Sequence, residues 1–162
     1  MHTITYKPIG IVHSPFKDSK NVPIQTAAAK GTPGTVEVFS EYAEGLTDIE
    51  GFSHLILLYD FHLVTDFSLM VKPFLDDKLH GVFATRSPAR PNKIGLSIVR
   101  LTGLKLNCLT IEDVAILDGT PLIDIKPFVP AFDCKETSEI GWFSDKIHKL
   151  QSTKDDGRFY KK

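Results

Sequence analysis

Cysteine, tryptophan and methionine are all scarce in this chain, with two Cys, one Trp and two Met among 162 residues. Cys108 and Cys134 are too few and too far apart for a zinc site or a disulfide framework, so both are expected as buried free thiols, with no metal. No stretch approaches about 18 consecutive apolar residues, which excludes a membrane-spanning helix. The opening MHTITYKPIG has no apolar core of signal-peptide length. A cytoplasmic protein in a reducing compartment is expected. Internal repeats and low-complexity segments are missing too. So is any strand–GxGxxG–helix unit, which disfavours a Rossmann-type nucleotide site. The Ser and Cys residues form no nucleophile elbow or Cys–His arrangement, so hydrolase chemistry has no foothold. His54 and His62 share parity on one apolar segment, but no carboxylate or cysteine sits at ligand spacing.

Net charge is only −1, so the whole protein has no general attraction for polyanions. The distribution is uneven. Lys78, Arg86, Arg90, Lys93, Arg100 and Lys105 fall in a stretch, 78–111, that contains no Asp or Glu. Acids then cluster at Glu112, Asp113, Asp118 and Asp124. A local basic surface of this kind suits a phosphate backbone or one small anion. It equally suits a solvated face balanced by acids across a sheet.

The apolar pattern points to strands. Residues 4–13 read as a first strand, followed by a long loop rich in Pro and Gly. TVEVF (35–39) alternates, whereas EYAEGLTDI (41–49) is a short helical turn at best. SHLILLYDFHL (53–63) is almost continuously apolar, as a strand buried on both faces would be. In GLSIVRLTGLKL (95–106), Leu96, Ile98 and Arg100 share one face and Ser97, Val99 and Leu101 the other. CLTIEDVAILD (108–118) pairs with it as a hairpin, and Gly103 supplies a bend or bulge. The pattern of 141–150 predicts a helix, and the polar end STKDDGRFYKK is expected to fray. Several strands joined by turns, with few helices, predict an antiparallel β-barrel or sandwich.

Two segments carry the candidate chemistry. In GVFATRSPARPNKIGLS (81–97), Pro88 and Pro91 forbid a regular helix or central strand, so 85–93 must be a loop. Arg86 and Arg90 therefore sit on a stiffened mount, and guanidinium is suited to two-point recognition of carboxylate or phosphate. Asn92 adds a neutral donor and acceptor. In LDGTPLIDIKPFVPAFD (117–133), Asp118-Gly119-Thr120-Pro121 is a turn signature that also exposes amides and a carboxylate together. Asp124 and Lys126 follow at strand spacing, and Pro127 and Pro130 stop further pairing.

Together these two segments closely resemble the signatures of the TsaA-like (TrmO) family of S-adenosylmethionine-dependent tRNA methyltransferases. IGIVHSPF (9–16), VPIQ (22–25) and EYAEGLTDIEGFSHLILLYDFH (41–62) add to the resemblance, which runs from about residue 5 to residue 133. It implies a mainly β, single-domain antiparallel barrel of about seven strands with short helices and a non-Rossmann cofactor site. Residues 1–140 would form the barrel and 141–162 a C-terminal helix and polar tail. It further implies a homodimer that methylates N6 of threonylcarbamoyladenosine beside the anticodon, with threonine tRNA as partner. S-adenosylmethionine would be held by Pro23, Ile24, Gln25, His62, Leu63, Arg86, Leu96, Asp118, Gly119, Thr120 and Pro121. Arg90, Asn92 and Lys93, on the same loop, are expected to face RNA. The chain departs from the family at Ile24, where many members have Arg, and resembles the shorter form without a second domain. No residue stands out as the acceptor of the N6 proton. A different acceptor, or a non-catalytic cofactor- or RNA-binding module, stays open on the residues alone.

Overall fold

The computed structural model describes residues 2–160. Six antiparallel strands close a barrel: β1 (Gly10–His13), β2 (Pro33–Val38), β3 (His54–Asp60), β6 (Ile94–Lys105), β7 (Cys108–Glu112) and β8 (Thr120–Pro127). Around the barrel the order is β1-β2-β7-β6-β3-β8, and β8 returns to pair with β1. The resemblance implies about seven strands. The remaining two, β4 (Met70–Val71) and β5 (His80–Gly81), form a short ribbon outside the barrel. Closure leaves the barrel itself with no edge strand.

Alternation drives the packing. Leu55, Leu57 and Tyr59 of β3 and Val99 of β6 point inward, meeting Val12, Val36, Val38, Leu109, Ile111 and Leu122 in one core. The expectation that β3 is covered on both faces needs correction, because its outer residues Ile56 and Leu58 are only half-buried. A barrel has one interior, so the outer apolar row is only partly covered. The expected parity of β6 holds, as does its hairpin with β7, with a register shift between Leu101 and Gly103. Asp124 and Lys126 share a face of β8 and pair at 2.8 Å.

Four local expectations fail. The first strand begins at Gly10 rather than residue 4. Pro8 has no N–H to give a ladder, and Ile4 and Tyr6 lie exposed. Cys134 is exposed and Cys108 half-buried, although both are free thiols. The segment 141–150 forms two 3-10 turns, Gly141–Phe143 and Ile147–Lys149, instead of one helix. The described part of the tail is docked rather than frayed, and Lys161 and Lys162 lie outside the described residues. Residues 153–160 run back across the loop 20–25, where Asn21 and Val22 exchange backbone hydrogen bonds with Asp155 and Pro23 bridges to Lys154.

Candidate functional site

A second, smaller apolar cluster carries the loop 85–93. Val64, Val71, Val82 and Ala89 are buried together, with Phe61, Phe159 and Tyr160 packed against them. The loop has no ladder of its own and satisfies its backbone with short polar side chains. Thr85 Oγ1 donates to the Val82 carbonyl (2.8 Å) and accepts from the Ser87 amide (3.2 Å). Ser87 Oγ then accepts from the Ala89 amide at 3.3 Å. Buried backbone groups need such partners, and here they fix the path of the loop.

That path presents Arg86 to a cleft of about 660 Å³. Its exposed guanidinium donates from Nη1 to Gln25 Oε1 at 3.0 Å, joining two loops 61 residues apart in sequence. Of the residues expected at a cofactor site, Pro23, Ile24, Gln25, His62, Leu63, Arg86, Leu96 and Thr120 line this one cleft. Gln25 and Thr120 come from segments nearly a hundred residues apart, brought together because β8 closes on β1 beside the loop 20–25.

Asp118, Gly119 and Pro121 are not in that lining. Asp118 turns toward the segment just after β1, where Lys17 Nζ lies 2.7 Å from Oδ2 and the Ser14 amide donates to Oδ1 at 3.0 Å. The Lys17 ammonium, with that amide, holds the Asp118 carboxyl below the usual carboxylate range. Gly119 adopts φ +74° and donates its amide to the Val12 carbonyl, while Pro121 lies opposite Ile11. The turn thus anchors Thr120, the member of the tetrapeptide that reaches the cleft.

The loop cations are also engaged within the protein. Arg90 folds inward: its Nη1 lies 3.0 Å from the Thr85 carbonyl and 3.3 Å from those of Val82 and Ser87. Loop carbonyls without a ladder need donors, and this guanidinium supplies them. Asn92 is exposed, and Lys93 Nζ donates to the Thr65 carbonyl at 3.0 Å. Arg100 is paired with Glu112 across the β6–β7 hairpin.

One whole wall of the cleft comes from residues outside the expected site. Trp142, Phe143, Ile147, Leu150, Phe159 and Tyr160 all come from the C-terminal return. It is tied down by Trp142 Nε1 to the Ala84 carbonyl (2.8 Å) and by Gln151 Nε2 to the Ala27 carbonyl (3.1 Å). Arg158 adds a cation–π contact over Phe74 at 5.0 Å, and Phe74 meets Phe159 edge-on at 5.2 Å. Aromatic residues within the polar tail were the available signal. The floor is Tyr59, whose hydroxyl lies 3.0 Å from Ser97 Oγ and whose pKa is pushed up by burial. An apolar, aromatic cleft of this size with a few convergent polar groups is the usual form of a small-molecule site.

Among the described residues, no cluster of His, Cys, Asp or Glu is arranged to hold a metal ion, and no helix is long and apolar enough to cross a membrane.

Comparison with known proteins gives a consistent result. Residues 11–134 match the model of the tRNA-methyltransferase O N-terminal domain. A probable S-adenosyl-L-methionine-binding protein of Pyrococcus abyssi is 60% identical over 157 residues, covering 97% of this chain and 85% of that protein. The tRNA (adenine(37)-N6)-methyltransferase of Escherichia coli is 34% identical over 140 residues, covering 80% of this chain and 60% of the enzyme. The crystal structure of TrmO from Pseudomonas aeruginosa superposes with a TM-score of 0.73 at 37% identity, covering 88% of this chain and 62% of that one. The chain therefore spans about three fifths of the length of these two bacterial proteins. By its matched domain, its barrel and these relatives, the chain belongs to the TrmO family, which includes S-adenosylmethionine-dependent methyltransferases.

Proposed function

We propose that this protein binds S-adenosylmethionine in the Arg86 cleft and transfers its methyl group to N6 of threonylcarbamoyladenosine in tRNA. The observation that carries this is the convergence on one cleft of Gln25, His62, Leu63, Arg86, Leu96 and Thr120. The donor set fits the group. Arg86 keeps N–H donors beyond the one used on Gln25, and a carboxylate is the natural partner for them. The rings of Phe74, Trp142, Phe159 and Tyr160 suit the faces of an adenine. The relative in Escherichia coli is named for methyl transfer to adenine 37 of tRNA, and several others are named for cofactor binding.

S-adenosylmethionine, when bound, supplies an electrophilic methyl group, so the protein needs no nucleophile of its own. Its residues position and exclude. Arg86 holds one end of the cofactor, the aromatic wall keeps water out, and Thr120 and Gln25 orient the polar edges. Asp118, Gly119 and Pro121 contribute by fixing Thr120. On the outer side of the loop, Asn92 and Lys93 are the groups available to RNA, while Arg90 stabilises the loop that presents them. Leu69, Met70, Leu79 and Phe83 are all more than half exposed on or beside the β4–β5 ribbon. Apolar exposure of this extent supports a homodimer through that face, and sedimentation at several concentrations tests it.

Radiolabelled methyl transfer tests the function. Label is expected in tRNA that carries threonylcarbamoyladenosine and absent from tRNA lacking it and from free nucleosides. Labelling of free nucleosides alone would indicate a different acceptor. Tight cofactor binding with no transfer to any acceptor would indicate a binding module.

A further inference from the structure

Asp155 is the sole carboxylate among the described residues that line the cleft. It lies on the C-terminal return, beyond the residues matched to the family domain. Its backbone is pinned on both sides: the amide donates to the Val22 carbonyl and the carbonyl accepts from the Asn21 amide, each at 2.9 Å. Its side chain is half-committed. Oδ1 accepts from the Gly157 amide at 2.7 Å, while Oδ2 has no donor among the described residues. Because no unpartnered side-chain oxygen is buried among the described residues, Oδ2 must reach solvent.

The other titratable groups lining the cleft are Tyr59, His62, Arg86, Arg90 and Tyr160. Guanidinium groups do not release their protons in proteins. Burial pushes both tyrosine hydroxyls up, away from a role near neutral pH. His62 and Asp155 are the remaining titratable groups of the cleft lining. Burial pushes the Asp155 carboxyl up to about 6, against the opposing effect of the Gly157 amide. Asp156 pushes in the same direction as burial and Arg158 against it. Arg158 is itself held by Asp156 at 2.6 Å, with Nη1 3.4 Å and 3.3 Å from the carbonyls of Lys72 and Pro73. A carboxylate with that affinity for a proton is well matched to general-base work near neutrality.

We propose that Asp155, through Oδ2, takes the proton from the acceptor nitrogen as that nitrogen is methylated. This rests on the methyl-transfer reading above. The nitrogen lone pair forms the new N–CH3 bond, and the electrons of the broken S–CH3 bond remain on sulfur. The proton displaced from nitrogen passes to Oδ2 and then to water, so the positive charge lost at sulfur is recovered as a released proton. Asp155 thereby gives the C-terminal return a chemical role in addition to its packing one.

The test uses the full chain with Asp155→Asn, S-adenosylmethionine and the tRNA acceptor. Calorimetry is expected to give a cofactor Kd within about twofold of wild type, while the single-turnover rate falls by about a hundredfold or more. Wild type should lose rate as pH falls through about 6, and the variant should lose that dependence. Asp155→Glu should restore part of the rate. A wild-type rate in Asp155→Asn, or a rate loss matched by weakened cofactor binding, overturns the assignment. So does His62→Gln abolishing the pH dependence while Asp155→Asn keeps it. A wild-type protein that transfers no methyl group overturns the underlying function and this proposal with it; wild-type transfer beside an unaffected variant overturns this proposal alone.

Discussion

Gly95 and Tyr59 face each other across the β3–β6 pair, and the ring of Tyr59 covers the glycine so closely that no side chain fits beneath it. A Cβ added at position 95 would lie 2.5 Å from Tyr59 Cζ and 2.8 Å from Cδ2, about 1 Å inside ordinary carbon–carbon contact. The ring has little room to retreat. It is 6% exposed, meets Phe61 edge-on at 5.5 Å, and its hydroxyl is bonded to Ser97 Oγ. Overpacking of this kind costs about 1–3 kcal/mol. Losing the buried hydroxyl bond adds about 1 kcal/mol. Replacing glycine in a strand returns about 0.5–1 kcal/mol. Gly95→Ala should therefore destabilise the protein by about 2 kcal/mol in urea unfolding, with the m-value unchanged. Gly103→Ala on the same strand is the control. Its nearest neighbours, atoms of Thr110, stand 4.0 Å from the added Cβ, so it should be neutral or slightly stabilising. Equal effects at the two positions would refute the account of the cleft floor.

Two further substitutions probe the walls. Arg90→Ala removes the donor to three loop carbonyls and should cost about 1–2 kcal/mol of stability in the same assay. Unchanged stability with weakened RNA binding would instead place Arg90 on the RNA face. Asp155 links stability to pH. Its carboxyl binds a proton more tightly in the folded state than in the unfolded chain. Its contribution is therefore complete below about pH 4 and lost as pH rises through about 6. Asp155→Asn should gain on wild type between pH 4 and pH 8 by on the order of 1 kcal/mol, after discounting for solvent screening. A variant that loses ground over that interval would contradict the buried placement.

Local chemistry explains which parts of the fold were legible. Pro88 and Pro91 forced a loop at 85–93, and strict alternation set the parity of β6 and its hairpin with β7. Each signal acts within a few residues. The apolar run of β3 misled because its composition reports hydrophobicity on both faces, while the barrel buries only Leu55, Leu57 and Tyr59. The site was legible where residues approach it through their own loop, as Arg86 does. It was not legible where partners arrive from far along the chain. Asp118 has the composition of a ligand-binding turn, yet Lys17 and Ser14, about a hundred residues away, claim its carboxylate. The tail reads as polar and aperiodic because its contacts are irregular and long-range: Trp142 to Ala84, Arg158 to Phe74, Phe159 to the cluster beneath the loop. No local periodicity accompanies such packing, so Asp155 and the aromatic wall were found only in three dimensions.

Arg86 is proposed to anchor a carboxylate-bearing cofactor in this cleft. Calorimetric titration of wild type and Arg86→Ala with S-adenosylmethionine and its demethylated product tests it most directly. Two charge-assisted hydrogen bonds contribute about 3 kcal/mol, so both ligands should bind wild type and lose about a hundredfold in affinity to the variant. Its unfolding midpoint should be unchanged, because Arg86 is exposed and, among the described residues, hydrogen-bonds only to Gln25. Equal affinity in the two proteins, or no binding to wild type even with tRNA present, would contradict the account.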